Sequence, residues 1–435
     1  MSKRYKSWGY TPNVPQSSIS PAWRSSVSFN NQQTYLPFGN GRSYGDTCLN
    51  GLGVVLDSQH QNHIIDFDVE AGTVTCESGV TFAELIDLCV PKGWFLPVSP
   101  GTKFVTVGGA IGNDVHGKNH HKRGTFGCHV MEMEILRTDG SITHCSASEN
   151  TLLFNSTIGG LGLTGYISWA KFSLIPVKSG LMSVKTIPFR SLDEFYEISS
   201  AKQDAFEYSV AWLDCAAGGG SFGRGLFYGA DHSGPNNSDT EDFKLTKPGL
   251  SIPFNLPSST LSPLFVKYFN TLYFYKNKMA PRNSNAPIGS YFYPLDNLRN
   301  WYRMYGSRGF FQYQFVVPTD RKDDLRSILE LITKARSASF LAVLKEFGSV
   351  QSPGLLSFPR PGYCLALDFP NKGQRTKQLI ASLDLIVREA GGSVYPAKDR
   401  LMCADAFRQY YPKHREFSSM IDPGMSSDFW RRVSS

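Results

Sequence analysis

The chain has 435 residues, 41% of them hydrophobic and 19% charged, an ordinary globular composition. It is longer than one hydrophobic core usually grows, so two domains are expected. Its 44 Lys and Arg against 37 Asp and Glu leave a net charge of +7, which admits an anionic ligand or an anionic membrane surface and gives no ground for nucleic-acid binding.

In chain order, the opening ~35 residues are polar and read as a loose arm. Thr73–Glu77 reads as a strand. Thr81 and Glu84 form a capping box ahead of Leu85, Ile86 and Cys89, and Pro91 and Gly93 close that helix. Met131–Arg137 and Ile167–Pro176 read as strands, and Ser191 with Glu194 forms a second capping box after a boundary near residue 180. Residues 231–290 are rich in Pro, Ser, Asn and aromatics and read as long loops. Within them Leu250–Lys278 sets Phe254, Leu264, Phe265, Phe269 and Leu272 among Lys267, Lys276 and Lys278. That pattern fits a membrane-facing cap or a buried cap helix. The last third alternates: strand Gln312–Val317, helix Asp320–Ala335, strands Phe340–Phe347 and Tyr363–Phe369, helix Thr376–Ala390 and strand Ser393–Pro396. The order β-α-β-β-α-β is a ferredoxin-like split unit, and the fold class is α+β.

Eight cysteines form no C-x-x-C pair and no zinc spacing with His120 and His121, so no metal is expected. No run approaches the ~18 apolar residues of a bilayer span. The opening MSKRYKSWGYTPN lacks an apolar h-region. The expectation is a cytoplasmic chain with reduced thiols, soluble or peripheral on the inner face of the cell membrane.

Three glycine clusters stand in the first 165 residues: Phe38-Gly39-Asn40-Gly41-Arg42-Ser43-Tyr44-Gly45-Asp46; Gly101-Thr102 followed by Thr106-Val107-Gly108-Gly109 and Asn113-Asp114-Val115-His116-Gly117; and Gly159-Gly160-Leu161-Gly162. A single glycine loop is usually a plain turn. Three together suit a long dinucleotide, because glycine lets several backbone N–H groups converge on a pyrophosphate. A Rossmann fingerprint is rejected: the third glycine after Gly39-x-Gly41 comes one position late, and strand-like Gly53–Leu56 follows where a helix is required. A P-loop is absent as well.

GNGRSYGD at 39–46 and PGTKFVTVGGAIGNDVHGKNHH at 100–121 resemble the vanillyl-alcohol-oxidase (PCMH-type) FAD-binding oxidoreductases, and within them the decaprenylphosphoryl-ribose oxidase-like proteins. GFFQYQFVVP at 309–318, LSFPRPGYCLALDFP at 356–370 and SVYPAKD at 393–399 agree. The resemblance is weakest between residues 180 and 300. It implies an FAD domain of two subdomains over 1–180, a substrate-binding cap domain with an antiparallel sheet over 181–390, and a segment 391–435 that returns to the FAD domain. It places Phe38–Asp46, Gly101 and Thr102 around the ADP part. Thr106–Gly109 and Asn113–Gly117 fall at the pyrophosphate and flavin edge, and Ile167 and Tyr395 add backbone contacts. Arg42 stands where many relatives carry a flavin-linked histidine. Arginine cannot form that bond, and close relatives with the HGKNHH pattern bind FAD without one, so the FAD is expected to be non-covalent.

Lys398, in Y-x-A-K-D, matches the family's essential lysine and is expected to favour the reduced flavin by its charge. The base that takes the hydroxyl proton stays open between Lys398, His116 and a water. Gln312 and Gln314 share one strand face and suit sugar hydroxyls, and Lys345 on the next strand suits a substrate phosphate. The family's cysteine before D-F-P falls at Ala366 here, whereas this chain has Cys364 two residues earlier, so its substrate pocket differs. The expected activity is oxidation of a sugar hydroxyl to a keto group, on a polyprenyl-phosphate-linked pentose. This would be the first half of an epimerisation completed by a short-chain reductase partner, in cell-envelope polysaccharide biosynthesis. Two alternatives are an oxidase of a free sugar lactone or alditol and a non-catalytic flavin-binding partner subunit. Retention of Lys398 argues against the second.

Overall fold

The computed structural model describes residues 5–9, 16–21, 27–234, 249–257, 260–337 and 339–435. Among the described residues the amino-terminal part carries two larger sheets, besides the pair Trp94–Phe95 and Ile175–Pro176. Ser17–Ile19 and Tyr35–Phe38 flank Val54–Asp57, both in parallel. The second sheet is antiparallel, in the order Ile64–Asp68, Thr73–Glu77, Tyr166–Ser173, Val130–Leu136, Ile142–Ser146. Helix Phe82–Cys89 starts on the complete Thr81/Glu84 capping box and buries Phe82, Leu85, Ile86 and Cys89.

An eight-stranded antiparallel sheet follows, in the order Asn283–Pro287, Leu181–Phe189, Gly225–His232, Tyr208–Leu213, Ala342–Phe347, Gly362–Pro370, Phe310–Val317, Ser393–Val394. Its last four strands, with helices Lys322–Lys334 and Gln374–Glu389, form the split unit. The alternation of side chains decides what faces the cavity described below. Phe311, Tyr313, Phe315 and Val317 pack under those helices with Leu325, Ile328, Leu379 and Leu383. Gln312 and Gln314 therefore point to the opposite face. The neighbouring strands follow the same rule: Leu344, Leu365 and Leu367 go to the core, while Lys345 and Ala366 go to the other side.

Three expectations change. The opening arm is partly tied down: Tyr5 is buried, Trp8 N–H donates to the Ser43 carbonyl, and Ser17–Ile19 is paired. The stretch 231–290 contains helix Pro263–Met279, edge strand Asn283–Pro287 and helix Ile288–Phe292, although residues 235–248 and 258–259 lie outside the described residues. Helix Pro263–Met279 falls in the stretch read as a cap, and most of its large apolar side chains are exposed rather than buried. Only half of the second capping box forms: Ser191 Oγ accepts from Glu194 N–H, but the Glu194 carboxylate accepts from Arg190 N–H.

Candidate functional site

A cavity of about 690 Å³ runs between the amino-terminal loops and the eight-stranded sheet. One end is walled by Gly39–Tyr44, Thr47, Ser58, Gly101, Thr102, Thr106, Gly108 and Gly109. Gly39 lies so close to the 106–109 turn that a Cβ would stand 2.3 Å from Thr106 Oγ1, and Gly41 adopts a φ of +57°. Asn40 Nδ2 donates to the Phe104 carbonyl at 3.0 Å and tightens this junction. The N–H groups of Val107, Gly108 and Gly109 are already spent on Val80, Ser78 and Thr106. Those of Asn40, Gly41, Arg42 and Ser43 donate to no group among the described residues. The open nest of donors is thus the first cluster, and the second cluster buttresses it.

The rest of the wall includes His116, Lys118, Gln312, Gln314, Lys345, Ala366, Tyr395 and Lys398, together with Trp212, Tyr228, Tyr273 and Tyr291, and Lys398 meets the first part at Tyr44. Gln314 Nε2 donates to His116 Nε2 at 2.7 Å and to Cys364 Sγ at 3.2 Å. His116 Nε2 is therefore the acceptor, and its proton sits on Nδ1. Burial, helped by Lys345, His120 and Lys398, holds this imidazole well below its usual pKa, so it stays neutral. Gln312 Nε2 donates to Asp368 Oδ1 at 2.6 Å. Asp368 also accepts from Tyr305 OH at 3.3 Å, and burial pushes its carboxyl up to about 7.

Lys398 lies over the Tyr44 ring, 3.7 Å from its centroid. Burial lowers its pKa to about 7, against the attraction of Asp368 and with the repulsion of Lys345. Lys118 donates to the Tyr291 carbonyl and stands 4.0 Å from the Tyr291 ring centroid. Burial, then Lys345, brings its pKa to about 7 too. Burial lowers that of Lys345 as well, and its Nζ lies 3.5 Å from the Gly117 carbonyl. None of the three lysines forms an ion pair among the described residues.

Most expected residues converge here. Gly39–Tyr44, Gly101, Thr102, Thr106, Gly108, Gly109, Asn113, Val115, His116, Gly117, Ile167, Tyr395, Gln312, Gln314, Lys345 and Lys398 all line the cavity. Six others lie behind the wall. Phe38 packs edge-on against Tyr5, and Gly45 abuts the Asp399 carbonyl. Asp46 is ion-paired with Arg432 at 2.7 Å, and Val107 is in the core. Asp114 accepts from Ser352, Ser357 and Gly127 N–H, and Cys364 is covered by Gln314. Sequence reasoning missed Lys118, although it follows directly on the second cluster. It also missed the aromatic arm of Trp212, Tyr228 and Tyr273, where no spacing marked a common wall.

The cavity fits a dinucleotide with a polar ring system. Arg42 Nε, Thr47 Oγ1, Asn113 Oδ1, His116 Nδ1, Tyr291 OH and Gln312 Oε1 are all buried in its wall without a partner among the described residues. Such atoms are costly unless a ligand satisfies them. Arg42 is clamped between Trp8 and Phe104, with its guanidinium 4.2 and 5.2 Å from their rings. Among the described residues no group of three or more His, Cys, Asp or Glu could hold a metal ion.

Residues 25–146 match the FAD binding domain family. The chain is 37% identical to decaprenylphosphoryl-β-D-ribose oxidase of Mycolicibacterium smegmatis over 91% of its own length and 88% of the relative's. It is 32% identical to an uncharacterised protein of Streptomyces coelicolor, over 81% of this chain and all of that one. L-gulonolactone oxidase 5 of Arabidopsis thaliana is 35% identical, over 30% of this chain and 24% of its own. Identity sustained across nearly the whole of two chains places this protein in the decaprenylphosphoryl-β-D-ribose oxidase family, as an FAD-dependent oxidoreductase.

Proposed function

We propose that the chain oxidises a ring hydroxyl of a pentose carried on a polyprenyl phosphate to a keto group, the first half of an epimerisation that a short-chain reductase partner completes. The observation that carries this reading is the set of three lysine amines, Lys118, Lys345 and Lys398, in one cavity wall, none of them ion-paired with a carboxylate among the described residues. Burial weakens their charge, and an anionic ligand would restore it at Lys118 and Lys345. Lys118 and Lys345 suit the phosphodiester of the carrier, and the aromatic arm beyond them suits its first isoprene units. The name of the Mycolicibacterium relative matches such a substrate. An enzyme of this kind works at a membrane surface, on its inner face. Among the described residues no helix is long and apolar enough to cross a membrane.

The open donors of Asn40–Ser43 would hold the pyrophosphate of FAD, with Arg42 beside it and no covalent link. Bound FAD supplies the acceptor for the electron pair of the C–H bond. Lys398, poised near neutrality, accepts the hydroxyl proton and becomes a cation as negative charge develops near it. His116 is a poor base, because Gln314 occupies its Nε2 and its Nδ1 already carries the proton. It serves instead as an N–H donor into the cavity. Gln312, its amide fixed by Asp368, turns Oε1 inward as an acceptor for a sugar hydroxyl. A free lactone or alditol requires neither the Lys118 and Lys345 pair nor an aromatic arm.

Farnesyl-phosphoryl-ribose added without oxygen should bleach the flavin absorption of the wild type, and acid should release the yellow colour into the supernatant. Lys398→Met should keep the flavin yet bleach about a hundredfold more slowly or less. No bleaching of the wild type would reject the substrate class, and unchanged bleaching in the variant would reject the role of Lys398.

A further inference from the structure

Helix Pro263–Met279 packs on a narrow stripe of Val266, Asn270 and Phe274. Polar bonds help to hold it. Asn270 Nδ2 donates to Asp214 Oδ1 at 2.9 Å, and Arg224, ion-paired with Asp214 at 2.8 Å, donates to Thr271 Oγ1 at 3.0 Å. The apolar side points outward. Leu264, Tyr268, Leu272, Tyr275 and Met279 recur every three or four residues, and Leu264 and Met279 are 81% and 84% exposed. Phe265 and Phe269 widen this stripe, and Leu250 and Phe254 are exposed in the segment before it. Helical geometry sets Lys267 and Lys278 along one flank and Lys276 on the other. Arg282 follows, and no Asp or Glu occurs between residues 249 and 295.

This arrangement adjoins the cavity. Tyr273 and Asn277 of the helix line it, with Ala280, Pro281 and Ser284 just beyond. The last three are also exposed, so the cavity opens to the surface there. Single exposed apolar side chains are normal, but a continuous stripe rimmed by cations marks an interaction face. Protein interfaces deplete lysine, whereas every charged residue between 249 and 295 is basic. We infer that the helix lies in the interface of an anionic bilayer and presents the cavity mouth to it. A lipid-carried substrate then enters without crossing water. The docking stands on the helix alone, and the delivery step rests on the proposed function.

The full-length holoenzyme is tested by flotation with vesicles of phosphatidylcholine containing about a third phosphatidylglycerol, and with phosphatidylcholine alone. It should float with the anionic vesicles and be released by salt. The variant Leu264→Ser/Tyr268→Ser/Leu272→Ser should keep its flavin spectrum and melting temperature but bind about tenfold less. It should turn over farnesyl-phosphoryl-ribose in solution as the wild type does, and a long-chain carrier embedded in vesicles about tenfold more slowly. Wild-type protein that ignores anionic vesicles, or a triple variant that floats unchanged, overturns the inference. So does a wild type that ignores vesicles while the variant dissociates an oligomer, which would assign the face to a protein partner. Flotation is measured without substrate, so failure of the sugar-oxidation reading leaves the docking result standing.

Discussion

Lys118 shows how much a single side chain in this wall can report. Its folded pKa of about 7 lies below the ordinary lysine value of 10.5. Between those values the unfolded chain binds a proton that the folded protein does not, so stability rises with pH across that window. Lys398 behaves in the same way, with a folded pKa of about 7. Asp368 acts in the opposite sense at lower pH. Its folded pKa of about 7 exceeds the ordinary carboxyl value of 3.8, so its contribution is lost as pH rises towards 7. In the apoprotein, Lys118→Met should flatten the rise in unfolding free energy between about pH 7 and 10 by up to about 1.4 kcal/mol per pH unit. Urea titrations at several pH values check this. An unchanged slope would mean that Lys118 stays charged when folded.

At the scale of elements, the strands and glycine turns were legible because their signals are local. Period-two alternation put Gln312 and Gln314 on the face opposite Phe311 and Tyr313, and the structure keeps that division. The capping box at Thr81 marked its helix for the same reason. What stayed hidden depends on long-range packing. Pro263–Met279 exposes its apolar face, so the apolar pattern alone leaves a buried cap helix and a membrane-facing cap equally open. The buttressing of Asn40–Ser43 by Thr106–Gly109 is invisible without knowing which N–H groups are already spent. Gly45 makes the point testable, since a Cβ there would stand 1.6 Å from the Asp399 carbonyl. Gly45→Ala must push apart the first glycine loop and the segment that carries Lys398. Calorimetry should show a loss of about 2 kcal/mol or more, with weakened FAD binding. Normal FAD affinity would show that the two segments can separate without harm.

Across the whole molecule, the buried clusters ignore a boundary at residue 180. One joins Leu36, Leu161 and Leu163 to Phe407 and Phe429, and another joins Phe82 and Phe172 to Tyr208 and Phe292. The carboxyl-terminal segment stitches the ends together. Tyr35 N–H donates to the Gly424 carbonyl, and Arg432 reaches both Asp46 at 2.7 Å and Asp399 at 3.1 Å. Arg432→Met would strand two poorly solvated carboxylates and should cost about 3 kcal/mol. Arg432→Lys should recover part of this in thermal melts, and equal melts for the wild type and both variants would remove Arg432 from the account.

That stitching also sets an order of events during synthesis. The cavity wall begins at Trp8 but is closed by Tyr395 and Lys398 and pinned by Arg432, which leave the ribosome after everything they embrace. The nascent chain can form its early sheets, yet it has no finished berth for a nucleotide until residues 395–432 emerge. Cofactor loading therefore waits for residues 395–432, and any shortage of FAD is felt by chains that have already made most of their buried contacts.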